Sequence, residues 1–241
     1  PTFPSSVTPF GHKFGCAPDD AADLLARASQ LGVRADGVAF HVGSQQLDPG
    51  AWEIGIRCAR DIFDAAPGLS TLNLGGGIPI SYDALAPDVG VVGDAIADAL
   101  RRYFPVLPHL VIEPGRAVVG SAGTLFCEVV AVRTGTDGHR WVYLDIGRYG
   151  GLAETENEYI RYRLRTSRDG DPLADAVVAG PTCDGDDVLY QRYPLPVTLC
   201  PGDPVEIESA GAYTTSYSSS FNGFSPLTTQ FVEVNDAVTT G

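Results

Sequence analysis

Apolar residues recur at helical spacing three times in the first half of the chain, and short continuous apolar runs lie between them. Leu24, Leu25, Ala28 and Leu31 predict the apolar face of a helix over 17–31. Pro18, Asp19 and Asp20 fill its first turn, where proline lacks no needed N–H and negative charge meets the helix dipole; Gly32 stops it. Trp52, Ile56, Ala59 and Phe63 predict a second helix over 49–66, and a third covers 91–103. The intervening runs 38–42, 72–74 and 110–113 read as strands. They are continuous rather than alternating, which predicts burial on both faces, as in a parallel sheet. Each ends in glycine and a polar group: His41-Val42-Gly43-Ser44, Gly75-Gly76-Gly77 and Glu113-Pro114-Gly115-Arg116. In a (β/α) barrel such strand ends share one face, and that face carries the active site. Three strand–helix units are too few to close an eight-stranded barrel.

Past residue 120 the pattern changes. Runs at 125–133, 141–145, 177–178 and 205–207 read as strands between Gly, Pro and Asp turns, with one short helical turn around 154–162. The fold class is α/β plus β: residues 1–120 form the C-terminal part of a (β/α) barrel, and residues 121–241 form a mostly antiparallel β domain. The opening stretch 1–9 reads as an arriving loop. With no methionine anywhere in the sequence, it leads to the expectation of a C-terminal part of a longer protein.

Composition narrows the function. Hydrophobic residues make up 44% and charged residues 19%, which suits a packed globular chain. A net charge of −14 argues against nucleic acid as a partner and favours a cationic small molecule. No apolar run reaches the length of a membrane span, so no membrane partner is expected. Five cysteines, an odd number without CxxC spacing, argue against a disulfide framework and against a metal site, and fit a cytoplasmic protein.

The strand ends supply candidate chemistry. Gly75, Gly76 and Gly77 let the backbone approach an anion, Arg116 adds a positive charge suited to phosphate, and Ser44 adds a hydroxyl. Glu113, closing an apolar strand, is expected to be partly buried; it could hold a pyridine nitrogen protonated, or pair structurally with Arg116. His41 could stack on a flat ring or be a satisfied structural histidine. The stretch Gly180-Pro181-Thr182-Cys183-Asp184-Gly185-Asp186-Asp187 is a loop carrying a thiol and carboxylates.

These motifs, together with Gly211-Ala212-Tyr213-Thr214 and Phe221-Asn222-Gly223-Phe224, follow the order and spacing of the pyridoxal-phosphate-dependent ornithine/diaminopimelate/arginine decarboxylase family, fold type III. The chain resembles that family from Lys13-Phe14-Gly15 onward. The resemblance implies an alanine-racemase-like (β/α)8 barrel followed by a β domain, the cofactor pyridoxal 5'-phosphate, and a homodimer with shared active sites at the interface. It assigns His41 to stacking on the cofactor ring and Glu113 to the pyridine nitrogen. Ser44, Gly75, Gly76, Gly77, Gly115, Arg116 and Tyr213 would hold the phosphate. Cys183 would return a proton to the α-carbon from the neighbouring subunit. Asp184 would grip the distal amino group of the substrate, and Phe221 would line the pocket. A further substrate-contacting aspartate of the family has Glu154 and Glu158 as candidates.

Cys183-Asp184-Gly185 resembles the ornithine/lysine branch, whereas diaminopimelate decarboxylases usually read Cys-Glu-Ser. A lone carboxylate suits a substrate ending in a bare ammonium. The implied activity is decarboxylation of ornithine or lysine to a diamine, as in polyamine biosynthesis. A non-catalytic regulatory homologue and a diaminopimelate decarboxylase are the alternatives. The sequence departs from the family at one decisive place. Its Schiff-base lysine lies on the first barrel strand, while the single lysine here, Lys13, belongs to a different motif. The chain alone is therefore expected to be inactive, with the lysine supplied by a missing N-terminal segment or a companion chain.

Overall fold

The structure is a computed structural model and describes residues 3, 5–8 and 13–232. The chain forms two compact units, Pro1–Phe126 with Tyr159–Arg165 and Glu206–Ala212, and Cys127–Glu158 with Thr166–Val205 and Tyr213–Gly241.

The first unit runs β1 (Ser6–Thr8), α1 (Pro18–Gln30), β2 (Gly37–Ala39), β3 (Ser44–Gln46), α2 (Ala51–Ala65), β4 (Thr71–Asn73), α3 (Val89–Tyr103), β5 (His109–Val111) and α4 (Gly115–Val119). β2, β4 and β5 form a parallel sheet in that order, with Ala39 level with Asn73 and Asn73 level with Val111. The helices α2 and α3 are the crossovers that parallel pairing requires. Trp52, Ile56 and Ala59 of α2 pack with Val92 and Leu100 of α3 and with Leu72 and Leu74 in one core. Gly55 lets α2 settle on Phe40: a Cβ there would lie 2.3 Å from the Phe40 ring. Asp88 caps α3 by accepting the Gly90 N–H at 2.7 Å.

Three expectations need correction here. The arriving loop is partly a strand: β1 pairs antiparallel with β3, Ser6 opposite Gln46. Its Pro1, Thr2, Pro4 and Pro9 lie outside the described residues. A three-residue strand between prolines, whose partner lies some 40 residues on, leaves no periodic signal. The apolar face of α1 is only partly used, since Leu24 and Leu31 are exposed and Ala21 is its buried residue. Burial on both faces is not reached: at β4 Leu72 and the following Leu74, which share one face, are buried while Thr71 and Asn73 on the other are half-buried, and at β5 Leu110 and Ile112 on one face are exposed.

From Leu125 the chain builds β6 (Leu125–Thr134), β7 (Arg140–Leu144), β8 (Leu164–Thr166), β9 (Leu173–Ala179), β10 (Val188–Pro196) and β11 (Pro204–Ile207). They form one sheet in the order β10-β9-β7-β6-β11-β8. β6 with β7 and β9 with β10 are antiparallel, but β7 with β9 is parallel, so the sheet is mixed rather than uniformly antiparallel. β8 and β10 carry no strand signal in the sequence. Two prolines and two register shifts interrupt the alternation of β10. The predicted turn around 154–162 is a π turn at Arg148–Leu152 followed by a 3-10 turn at Ala153–Glu158. Among the described residues no helix is long and apolar enough to cross a membrane.

Trp52 is 1% exposed at the centre of the first core. Trp52→Ala is expected to cost about 3–5 kcal/mol in urea unfolding. Val106→Ser, at a position 84% exposed, should stay within about 0.5 kcal/mol of the parent. Equal stabilities for the two variants would contradict this core.

Candidate active site

The C-terminal ends of β2, β4 and β5 bring His41, the glycine triplet and Glu113 together. Backbone closeness explains the triplet: a Cβ on Gly76 would lie 2.4 Å from the Glu113 carbonyl oxygen and 3.3 Å from His41 Nε2. Gly75 and Gly77 also take positive φ, 66° and 93°, which disfavour any side chain. Asn73 ties the group together. Its side-chain oxygen accepts the Gly75 N–H at 2.9 Å, and its Nδ2 donates to Glu113 Oε1 at 3.1 Å. The Gly75 carbonyl accepts the Glu113 N–H at 2.9 Å.

His41 is half-buried, and its Nδ1 accepts the Gly43 N–H at 2.9 Å. That bond assigns the proton of the neutral ring to Nε2. Burial lowers the His41 pKa from the ordinary 6.5, and the Glu113 charge opposes that shift. Glu113 is exposed, not partly buried as expected, because it stands beyond the last residue of β5 and beside Asn73 rather than inside the sheet.

Ser44 begins β3 and is half-buried opposite Thr8. The next two residues, which carried no signal, hold the glycine loop. Gln45 donates to the Ile80 carbonyl and accepts the Ile80 N–H, and the Gln46 N–H donates to the Gly77 carbonyl at 2.9 Å. Gly115 and Arg116 open α4. The Arg116 side chain is 5% exposed and donates to the Tyr82 hydroxyl at 2.5 Å, with its guanidinium 5.8 Å from the Tyr82 ring centre. Tyr82 was not singled out by the sequence, because its link to Arg116 spans 34 residues. Lys13 is exposed, with its ammonium 5.1 Å from the Phe14 ring centre.

The second unit holds the other candidates. Cys183 is exposed and its Sγ accepts from Asn222 Nδ2 at 3.3 Å. Asp184 is half-buried; its Oδ1 accepts the Asp186 N–H at 2.9 Å. Desolvation first and the neighbouring Asp184 carboxylate second raise the Tyr149 pKa. Phe221 lies against Tyr149, ring centres 4.4 Å apart. Cys183, Asp184 and Phe221 thus come together around Tyr149 and Asn222, neither of which sequence reasoning had given a role. Tyr213 is exposed, takes φ 56° and has Tyr217 as a ring neighbour at 6.3 Å. Glu158 Oε1 accepts the Gln191 N–H at 2.8 Å, and Glu154 is half-buried in the 3-10 turn.

The donor set of the first unit fits a flat, anionic, nitrogen-containing ring. It offers a neutral imidazole fixed by its own hydrogen bond, an exposed carboxylate able to accept a ring N–H, and a glycine backbone close to both. The charge relation can be tested by proton NMR of His41. Its titration midpoint should lie below 6.5, and Glu113→Gln should lower it further by removing the opposing charge. Since the folded-state value is the depressed one, the stabilisation tied to neutral His41 is present above 6.5 and is lost as pH falls through the folded midpoint. A midpoint that rises in Glu113→Gln would contradict the geometry.

Comparison with known proteins gives a consistent result. The model of the family "Pyridoxal-dependent decarboxylase, C-terminal sheet domain" matches residues 20–211. A lysine/ornithine decarboxylase of Selenomonas ruminantium is 36% identical over 217 residues, covering 88% of this chain and 54% of the relative. The crystal structure of a lysine/ornithine decarboxylase from Vibrio vulnificus complexed with cadaverine superposes with a TM-score of 0.79 at 34% identity, over 91% of this chain and 61% of that one. The arginine decarboxylase of Paramecium bursaria Chlorella virus superposes with a TM-score of 0.81 at 32% identity, over 92% of this chain and 61% of that one. The chain spans about half the length of the curated relatives it matches. On the match over 20–211, supported by these likenesses, the chain belongs to the pyridoxal-dependent decarboxylase family.

Proposed function

We propose that this chain is the C-terminal portion of a pyridoxal-phosphate-dependent decarboxylase that converts a basic amino acid, ornithine or lysine, to its diamine. One observation carries the proposal: the strand-end group in which neutral His41, the Gly75, Gly76 and Gly77 backbone and exposed Glu113 meet. The relatives and neighbours named above, lysine/ornithine and arginine decarboxylases, supply the substrate class. In this reading residues 1–120 are part of a (β/α)8 barrel and residues 121–241 a β domain.

Bound pyridoxal phosphate would supply an electron sink for the pair left on the α-carbon when carbon dioxide departs. The chain's own residues do the rest. Glu113, steadied by Asn73, accepts the N–H of the pyridine ring and so keeps it protonated. His41 offers the flat face of its ring, and the bond from the Gly43 N–H to Nδ1 prevents that ring from turning. Ser44, the glycine backbone, Gly115, Arg116 and Tyr213 serve the phosphate. For Arg116 this is a task of its main chain at the start of α4, because its side chain is buried on Tyr82.

In the second unit, the Cys183 thiol delivers a proton to the former α-carbon. Asp184 accepts the distal ammonium of the substrate, and Phe221 lines the apolar part of the pocket. Both loop residues act on the neighbouring subunit of a homodimer. The amine that anchors the cofactor is supplied from outside these 241 residues, since Lys13 sits on Phe14.

The test uses the complete holoenzyme with ornithine, lysine and arginine, reading carbon dioxide and amine products. A diamine should form from ornithine or lysine. Asp184→Ala should raise KM about ten- to hundredfold, the equivalent of one lost charged hydrogen bond. Cys183→Ala should lower kcat about 10²–10⁴-fold. No amine product from any of the three substrates, with cofactor bound, would overturn the proposal.

A further inference from the structure

Among the described residues of the second unit, the most deeply buried carboxylate belongs to Asp187, a residue to which nothing above gives a task. It is 2% exposed. Its Oδ1 accepts the Arg148 N–H at 2.8 Å; its Oδ2 accepts the Thr182 N–H at 3.0 Å and the Thr182 hydroxyl at 2.7 Å. A buried carboxylate is tolerated only when hydrogen bonds replace its water, and three donors do so here. Space for it is also specific. A Cβ on Gly147 would lie 2.1 Å from Asp187 Oδ1, and one on Gly180 would lie 2.4 Å from both carboxylate oxygens.

The main chain of Asp187 closes the same loop. Its carbonyl accepts the Gly180 N–H at 2.8 Å, and its N–H donates to the Asp184 carbonyl at 3.1 Å. One residue therefore staples both ends of the 180–187 loop and fastens that loop to the turn at 147–150. A second link runs in parallel, from the Arg148 guanidinium to the Asp186 carbonyl at 2.9 Å. The fastened turn carries Tyr149, a neighbour of Asp184 whose ring lies against Phe221.

We infer that Asp187 is a positioning residue for the proposed reaction: its buried carboxylate, held by Thr182 and the Arg148 backbone, sets where Cys183 and Asp184 stand relative to Tyr149. This rests on the reading of Cys183 as proton donor and Asp184 as substrate grip. Asp187 touches neither substrate nor cofactor. It acts through the backbone on either side of the two residues that do.

The informative variant is Asp187→Asn. It keeps shape and volume, but one oxygen becomes an NH₂ group. Every neighbour of the carboxylate is a donor, so the amide must confront either Arg148 or Thr182 with a second donor. Two readouts separate placement from mere stability. Hydrogen exchange of this chain should show the Arg148 or Thr182 amide exchanging at least tenfold faster, with the Val177 amide in β9 unchanged. In the complete holoenzyme, kcat/KM per bound cofactor should fall at least tenfold, through lower kcat and higher KM together, with cofactor affinity kept. A merely structural role would instead lower the melting temperature and cofactor content while leaving turnover per bound cofactor intact.

Thr182→Val, which removes one donor and keeps the N–H, should move both readouts in the same direction by less. It also decides the matter if Asp187→Asn does not fold. Turnover per bound cofactor within twofold of the parent in Asp187→Asn, with Cys183→Ala impaired in the same assay, would overturn the inference. If Cys183→Ala is unimpaired, the reading of the loop as catalytic has failed. Unchanged exchange at Arg148 and Thr182 would then also remove Asp187 as the loop's staple.

Discussion

The side-chain amide of Asn73 sets the strand-end geometry of the first unit. Its oxygen takes the Gly75 N–H and its nitrogen gives to Glu113. These two bonds turn the chain sharply after β4 while steadying a carboxylate that belongs to the neighbouring strand. An amide accepts through its oxygen and donates through its nitrogen at two separate atoms, which lets Asn73 serve both partners; an aspartate in its place would repel Glu113. The glycine loop then has no freedom left for side chains, with Gly76 pressed against the Glu113 carbonyl and His41. Gln45 and Gln46 brace the far side of the same loop. Polar side chains, rather than the apolar core, specify this edge.

The two units use charge differently. In the first, Glu113 is left exposed at the sheet edge and Arg116 is buried on a phenol. The half-buried His41 imidazole has its pKa lowered by burial, against the pull of the Glu113 charge. In the second, the carboxylate that organises the loop is buried, while Asp184 keeps part of its surface. Asp203 shows a further use. It accepts both Arg168 Nε and a terminal guanidinium nitrogen at 3.2 Å, along with the Cys200 N–H, and its pKa drops to about 2. Its stabilising share is present above the ordinary carboxylate range and is lost as pH falls toward 2.

Much of this was legible from residues alone, where one local rule acted at a time. Helical spacing located α2 and α3 to within two residues, because Trp52, Ile56 and Ala59 face a single core. Strand ends located His41 and Glu113, since apolar runs that stop at polar groups leave them at the sheet's edge. What stayed hidden depends on partners distant in sequence. Gln45 meets Ile80 across 35 residues and Asp187 meets Arg148 across 39. Within its own stretch Asp187 reads as one more solvated turn aspartate. β10 was hidden for another reason: its prolines and register shifts break the alternation by which a strand is recognised. The fit of residues to pyridoxal phosphate came from motif order, not from periodicity.

The close approach of Gly147, Gly180 and Asp187 couples the three positions. With the carboxylate in place, neither glycine can gain even a methyl group. Without it, three donors are left bare and a small void opens between two turns. A change at any one of the three positions is therefore felt at the other two, so the two turns and the carboxylate between them behave as one mechanical unit.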